Sequence, residues 1–139
     1  MTCAVGSPFG GSVVALGGWA VRILIVDDSK AMRMIVAREL RAAGFSELLV
    51  AEASSGAEAI SVMKDFNPEL VLSDRNMPEM NGLEFLKALR TDGCAVPFGF
   101  ITTEASAEMR SAAAEAGAFS FITKPFTAGD LRDALGQLA

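Results

Sequence analysis

The feature that most constrains the fold of this chain is a regular alternation of short apolar segments with longer amphipathic segments. Each short segment has four or five residues and is largely apolar, which is typical of strands buried on both faces of a parallel sheet. The predicted strands are Arg22–Val26, Leu48–Ala51, Leu70–Ser73, Phe98–Thr102 and Ser120–Thr123.

A helix is predicted after each strand, because apolar side chains recur there at helical spacing. Several of these segments carry end signals, namely a capping-box pattern from Ser55 to Glu58, glycines at 44 and 117, and Thr127 three residues before Asp130. Five strand–helix units in succession predict the α/β class: a doubly wound, five-stranded parallel sheet with five helices on its two faces.

The first 21 residues differ from the rest of the chain. They carry no charged side chain and include five glycines. A secretory signal would have basic residues before its apolar run, and a membrane-spanning helix would not contain so many glycines. We therefore expect residues 1–21 to be a flexible or loosely docked extension, and residues 22–139 to form one domain.

Composition excludes several kinds of chemistry. The chain of 139 residues has no histidine, which rules out His-dependent triads and His-ligated zinc. Two cysteines, Cys3 and Cys94, are too few for a thiolate zinc site. The formal charge of −5 argues against direct nucleic-acid binding. We expect a monomeric cytoplasmic protein that does not associate with membranes.

Charged and hydroxyl residues follow the predicted strands. In a parallel sheet the carboxyl ends of the strands share one edge, and ligands bind there. The residues at that edge are Asp27 and Asp28 after the first strand, Asp74 after the third, Thr102, Thr103 and Glu104 at the fourth, and Lys124 after the fifth.

Three carboxylates at one edge would repel one another unless a cation lay between them. Oxygen ligands suit Mg²⁺, and a divalent ion together with Lys124 would balance the three charges. Such a site could accept a phosphoryl group, since carboxylates act as nucleophiles toward phosphorus. Taken singly, Asp28 could equally be a helix cap and Lys124 a solvated lysine. The interpretation depends on their shared edge.

Four segments resemble the receiver domain of bacterial response regulators, and within that family the stand-alone chemotaxis regulators of the CheY type. The segments are 23–29 (ILIVDDS), 70–82 (LVLSDRNMPEMNG), 102–105 (TTEA) and 124–126 (KPF). The resemblance covers the chain from about Arg22 onward. It implies a flavodoxin-like sheet with the strand order 2-1-3-4-5.

The resemblance also implies roles for the strand-end residues. Asp74 would be phosphorylated, and Mg²⁺ would be held by Asp27, Asp28, Asp74 and the backbone carbonyl of Asn76. Lys124 would contact the phosphoryl group, and its bond to Pro125 would be cis. On phosphorylation the Thr102 hydroxyl would move and Phe121 would turn inward, which changes the surface of the fourth helix, fifth strand and fifth helix.

Other positions near the implied site are informative. Asn76 with Glu104 resembles regulators that dephosphorylate themselves quickly. Arg75 stands where an aromatic residue is usual, and Thr103 is bulkier than the usual small residue. On the surface of the fourth helix and fifth strand, Arg110 differs from the residue found in regulators that bind the flagellar motor.

The expected function is that of a single-domain response regulator, which a histidine kinase phosphorylates and which then controls a partner such as the flagellar motor switch in chemotaxis. It would catalyse only its own phosphorylation and dephosphorylation. A phosphate sink, a relay intermediate or a regulator of a non-motor target remains open. A metal-dependent phosphohydrolase is disfavoured, because such enzymes usually have an aspartate as acid/base two residues after the nucleophile, where this chain has Asn76. A flavin binder is disfavoured, because it would need a phosphate-binding loop after the first strand, where this chain has Asp27 and Asp28.

Overall fold

The predicted strand–helix units occur in order in the computed structural model, which describes residues 21–45, 47–77, 79–103 and 106–136. The strands are β1 (Val21–Val26), β2 (Leu48–Ala53), β3 (Leu70–Ser73), β4 (Phe98–Thr102) and β5 (Ser120–Thr123). The helices are α1 (Lys30–Ala42), α2 (Gly56–Phe66), α3 (Gly82–Thr91), α4 (Ala107–Glu115) and α5 (Ala128–Leu135).

The five strands form one parallel sheet in the order β2-β1-β3-β4-β5, which confirms the predicted fold. β2 continues to Ala53, two residues beyond its predicted end at Ala51. Residues 1–20 of the expected extension lie outside the described residues, and Val21 already belongs to β1.

Both faces of the sheet are covered, because successive side chains of a strand point to opposite sides. On β1, Ile23 and Ile25 pack with Leu40 of α1 and Leu131 of α5. The intervening side chains face α2 and α3, in a second apolar cluster that includes Leu24, Val26, Met63, Phe85, Phe98 and Phe100. The sheet is therefore held rigidly between two cores, and its carboxyl edge is a fixed platform for side chains.

The helix ends follow the predicted end signals. Thr127 and Asp130 form a capping box at the start of α5, and Gly44 and Gly117 adopt positive φ angles beyond α1 and α4. At α2 the prediction is only partly correct. The Ser55 hydroxyl accepts from the Glu58 amide, but the Glu58 carboxylate accepts from the amide of Ser54 instead.

No helix in the described part of the chain is both long and apolar enough to cross a lipid bilayer.

Candidate functional site

The register of the central strands brings the first two acidic residues together. Val26 of β1 lies beside Ser73 of β3, so the residues that follow them, Asp27 and Asp74, emerge side by side. The Asp74 amide donates to the Val26 carbonyl at 2.8 Å, and the Asp27 amide donates to the Ala53 carbonyl at 3.0 Å. Both aspartates are thus fixed by sheet-like backbone bonds at the carboxyl edge.

Asp27, Asp28 and Asp74 form an acid cluster, in which one carboxylate oxygen of each lies within 4.8 Å of the others. Asp27 and Asp74 are buried, at 4% and 8% exposure, whereas Asp28 is exposed. Grouped, partly buried carboxylates need a compensating cation, and three oxygen ligands with an open side suit a hard divalent ion that keeps some of its water. The donor set therefore fits Mg²⁺.

Lys124 reaches the acid cluster from the end of β5. Its Nζ lies 2.8 Å from Asp27 Oδ2 and 3.4 Å from Asp74 Oδ2, and its side chain is 13% exposed. The Lys124 amide donates to the Thr102 carbonyl at 2.9 Å, which ties this residue to the end of β4. The Lys124–Pro125 bond is cis, as predicted.

The loop between β3 and α3 folds back over Asp74. The Asn76 amide is 3.3 Å from Asp74 Oδ1, and the Gly82 amide donates to the Arg75 carbonyl at 2.9 Å. A Cβ atom on Gly82 would lie 2.2 Å from the Asp74 carbonyl oxygen. The loop can close over Asp74 only because residue 82 is glycine.

A second glycine holds the same loop from the other side. The Gly56 amide at the start of α2 donates to the Met80 carbonyl at 2.9 Å, and a Cβ atom there would lie 2.6 Å from that oxygen. The loop is therefore fixed against both α2 and β3.

The two residues predicted to switch lie on neighbouring strands. Thr102 is fully buried at the end of β4, beside Thr123 of β5. Phe121 is half-buried, with its ring centroid 6.0 Å from that of Phe100. The Arg110 guanidinium of α4 lies over the Phe121 ring at 4.9 Å from the centroid.

Phe121 and Arg110 line a groove of about 440 Å³ between α4, β5 and α5. The groove is also bordered by Phe119, Thr123, Asp130 and Asp133. It lies on the surface that the resemblance assigns to partner binding. We call it the α4–β5–α5 groove.

The remaining predicted residues are placed less centrally. Thr103 is exposed directly after β4, and Arg75 is half-buried directly after Asp74. Glu104 lies outside the described residues. Sequence reasoning missed Arg33, whose guanidinium donates to the Asp27 carbonyl, and the packing role of Gly56. Arg33 stands five residues after Asp28, and nothing in this spacing distinguishes it from an ordinary surface arginine of α1.

Fold and site together define a class of protein: a doubly wound α/β domain with an acid cluster and a lysine at the carboxyl edge of its sheet. The family model for the response regulator receiver domain matches residues 23–136, and the chain belongs to this family.

Its relatives include two named chemotaxis proteins. It is 40% identical to chemotaxis protein CheY-3 of Vibrio cholerae serotype O1 over 120 residues, covering 85% of this chain and 91% of that protein. It is 36% identical to chemotaxis protein CheY of Pseudomonas aeruginosa over 120 residues, covering 85% and 95% of the two chains. The high-resolution structure of the chemotaxis response regulator CheY4 of V. cholerae matches with a TM-score of 0.74 and 32% identity, covering 87% of this chain and all of that one.

The chain is therefore a CheY-like receiver domain of two-component signalling, and proteins of this family are signalling proteins rather than classical enzymes.

Proposed function

We propose that this receiver domain accepts a phosphoryl group on Asp74 from the phosphohistidine of a kinase and acts as a response regulator. The observation that carries the proposal is the acid cluster with Lys124 at its side, at the carboxyl edge of a receiver sheet. We take Asp74 as the acceptor because it lies centrally, directly after β3. Asp27, after β1, lies on one side of it, and Thr102 of β4 and Lys124 after β5 lie on the other.

In the transfer step, an Asp74 carboxylate oxygen forms a bond to phosphorus as the bond from phosphorus to the histidine nitrogen breaks. The electron pair of the broken bond stays on the imidazole nitrogen of the kinase. None of the 139 residues is a histidine, so none of them can supply the phosphohistidine. Water later attacks phosphorus and releases inorganic phosphate, which regenerates the Asp74 carboxylate.

Asp27, Asp28 and Asp74 would hold Mg²⁺, together with the carbonyl of Asn76. The bound ion supplies positive charge against the phosphoryl oxygens. Lys124 supplies the second positive charge, since its ammonium already lies 3.4 Å from an Asp74 oxygen. The Asn76 amide, at 3.3 Å from Asp74 Oδ1, keeps the carboxylate oriented for attack.

The output would come from the α4–β5–α5 groove. Thr102 is buried at the end of β4, which is separated from β1 by β3 alone and pairs with β5, the strand that carries Phe121. Movement of its hydroxyl toward a phosphoryl oxygen would open space into which Phe121 can turn. Because Phe121 borders the groove, its movement would change the shape offered to a partner.

The two relatives named as chemotaxis proteins favour a cytoplasmic role in chemotaxis, with a chemotaxis kinase upstream and a target such as the flagellar motor switch downstream. Arg75 at the mouth of the site and exposed Thr103 would influence which donors reach Asp74 and how long the phosphorylated form lasts.

The test is the intact mass of the purified protein after incubation with Mg²⁺ and a small phosphodonor. We expect a gain of one phosphoryl group that is lost with EDTA or in Asp74→Asn. Phosphorylation of a folded Asp74→Asn variant at the wild-type rate would show that another residue is the acceptor. Colourless protein with no steady turnover of phosphate esters would separate this function from a flavin binder and a phosphohydrolase.

A further inference from the structure

We propose that Arg33 is a positioning residue that fixes the peptide joining Asp27 to Asp28, so that both carboxylates are held ready for the divalent cation. The inference rests on the proposed function of the acid cluster, and it adds a residue from outside the cluster to that site.

Arg33 lies in the first turn of α1, and its side chain is only 14% exposed. One of its terminal nitrogens, Nη1, donates to the Asp27 carbonyl oxygen at 2.6 Å. Its Nε donates to Glu52 Oε1 on β2 at 2.7 Å. The guanidinium is thus fixed at two points, and it connects the end of β1 to the neighbouring strand.

The Asp27 carbonyl belongs to the peptide that leads into Asp28, so its direction sets the plane from which Asp28 extends. The other polar groups of Asp27 are also engaged. Its amide donates to the Ala53 carbonyl, its Oδ1 accepts from the Ser29 amide at 2.9 Å, and its Oδ2 accepts from Lys124.

Asp28 is exposed, so its position depends mainly on the backbone that carries it. The Arg33 bond to the Asp27 carbonyl fixes that backbone. Mutation of a residue that orients metal ligands from outside the coordination shell typically lowers metal affinity by about tenfold to a hundredfold. Arg33 fits this description, because it contacts a ligand residue only through its main chain.

The two effects of Arg33 on a cation have opposite signs. Its positive charge near the acid cluster repels Mg²⁺, so removing the charge alone would strengthen binding. Its hydrogen bond to the Asp27 carbonyl orients the ligands, so removing the bond would weaken binding. The direction of the change in affinity therefore shows which effect is larger.

The experiment is calorimetric titration of Mg²⁺ into the wild-type protein and into Arg33→Ala. We expect the Mg²⁺ dissociation constant of Arg33→Ala to rise about tenfold. Arg33→Lys keeps the charge but replaces the planar guanidinium, which bonds through two separate nitrogens, with a single ammonium nitrogen, and it should recover part of the loss. Arg38→Ala is the matched control, since Arg38 lies on the same helix with a side chain that is 72% exposed, and its affinity should match the wild type.

A second measurement needs no metal. Amide hydrogen exchange at Ser29 reports the bond from its amide to Asp27 Oδ1, and this exchange should be faster in Arg33→Ala. If Arg33→Ala does not fold, Glu52→Ala is the alternative variant. It removes the carboxylate on β2 that accepts from Arg33 Nε, and it should also make amide exchange at Ser29 faster.

Unchanged or tighter Mg²⁺ binding by folded Arg33→Ala, with unchanged Ser29 exchange, would overturn the positioning role. A wild-type protein that binds no Mg²⁺ at all would instead overturn the proposed metal site. In that case the Ser29 exchange still decides whether Arg33 orders the Asp27–Asp28 peptide.

Discussion

Lys124 lies closer to Asp27 than to Asp74, with its Nζ 2.8 Å from the Asp27 oxygen and 3.4 Å from the Asp74 oxygen. The ammonium is thus paired most closely with Asp27, which follows β1, although Asp74 is the proposed acceptor. Lys124 thus forms ion pairs with both buried carboxylates. A divalent cation and this ammonium therefore compete for the same negative charge.

We expect Lys124→Met to bind Mg²⁺ more tightly than the wild type and to be less stable without it. Removing a positive charge a few ångströms from a divalent cation should strengthen binding about tenfold or more. The metal-free variant should lose about 3–5 kcal/mol, because Asp27 and Asp74 are then buried without a compensating charge. Mg²⁺ titration and denaturant unfolding with EDTA measure the two effects. Unchanged or weaker Mg²⁺ binding would contradict the competition.

Asp27 and Asp28 should respond differently to loss of charge. Asp28 is exposed, so Asp28→Asn should change the metal-free free energy of unfolding by less than about 0.5 kcal/mol while weakening Mg²⁺ binding. Asp27→Asn removes the closer partner of Lys124, so it should lower both the metal-free free energy of unfolding and the affinity for Mg²⁺. The free energy of unfolding of the wild type should rise by ~2.7 kcal/mol when the Mg²⁺ concentration is a hundredfold above its Kd. An equal Mg²⁺ gain in Asp28→Asn would remove Asp28 from the ligand set.

The parts of the site that the sequence predicts are those fixed by topology. Asp27, Asp74 and Lys124 each follow a strand, and parallel strands bring their carboxyl ends to one edge. Contacts that depend on the path of a side chain or a loop could not be predicted. Arg33 reaches the Asp27 carbonyl from a helix whose position on the sheet is set by packing.

The same reason explains what the helix pattern left undecided. The Ser55–Glu58 pattern correctly predicted a helix start, but whether the Glu58 carboxylate meets the amide of Ser54 or Ser55 depends on the local backbone angles. The cis Lys124–Pro125 bond was predicted through the family resemblance, since the residues alone favour trans.

Gly82→Ala should destabilise the protein, because the added methyl group would lie 2.2 Å from the Asp74 carbonyl oxygen and 3.0 Å from Ser73 Oγ. Backbone cannot move aside cheaply, and we expect a loss of about 1–3 kcal/mol with slower phosphorylation, since the loop over Asp74 must shift. Denaturant unfolding measures the loss of stability, and the rate of labelling by a small phosphodonor measures the change in phosphorylation.

Gly129→Ala is the matched control for this substitution. Its methyl group would meet Thr127 Oγ1 at an ordinary 3.5 Å within α5, and alanine is favoured over glycine in a helix by about 0.5–1 kcal/mol. Gly129→Ala should therefore be neutral or stabilising. A Gly82→Ala protein as stable and as quickly labelled as the wild type would show that the loop is not held against Asp74.

Arg110→Ala should favour the inward position of Phe121. The guanidinium lies over the half-buried ring at 4.9 Å, and a cation–π contact at an exposed site is worth about 0.5–1 kcal/mol. An inward turn of the ring on phosphorylation, as proposed, would break this contact, so the contact should stabilise the unphosphorylated form. Removing the Arg110 guanidinium should raise the affinity for the phosphoryl analogue beryllofluoride about twofold to fivefold. The reason is that the position of the Phe121 ring and the binding of the analogue are linked equilibria.

The effect must depend on the ring if this account is correct. In a Phe121→Leu background, Arg110→Ala should leave beryllofluoride affinity unchanged, because leucine offers no aromatic face to the cation. Arg132→Ala removes an exposed arginine of α5 and controls for a general change in surface charge. If Arg110→Ala raises affinity equally in both backgrounds, or if Arg132→Ala has the same effect, the change is electrostatic, and the contact between Arg110 and Phe121 does not bias the switch.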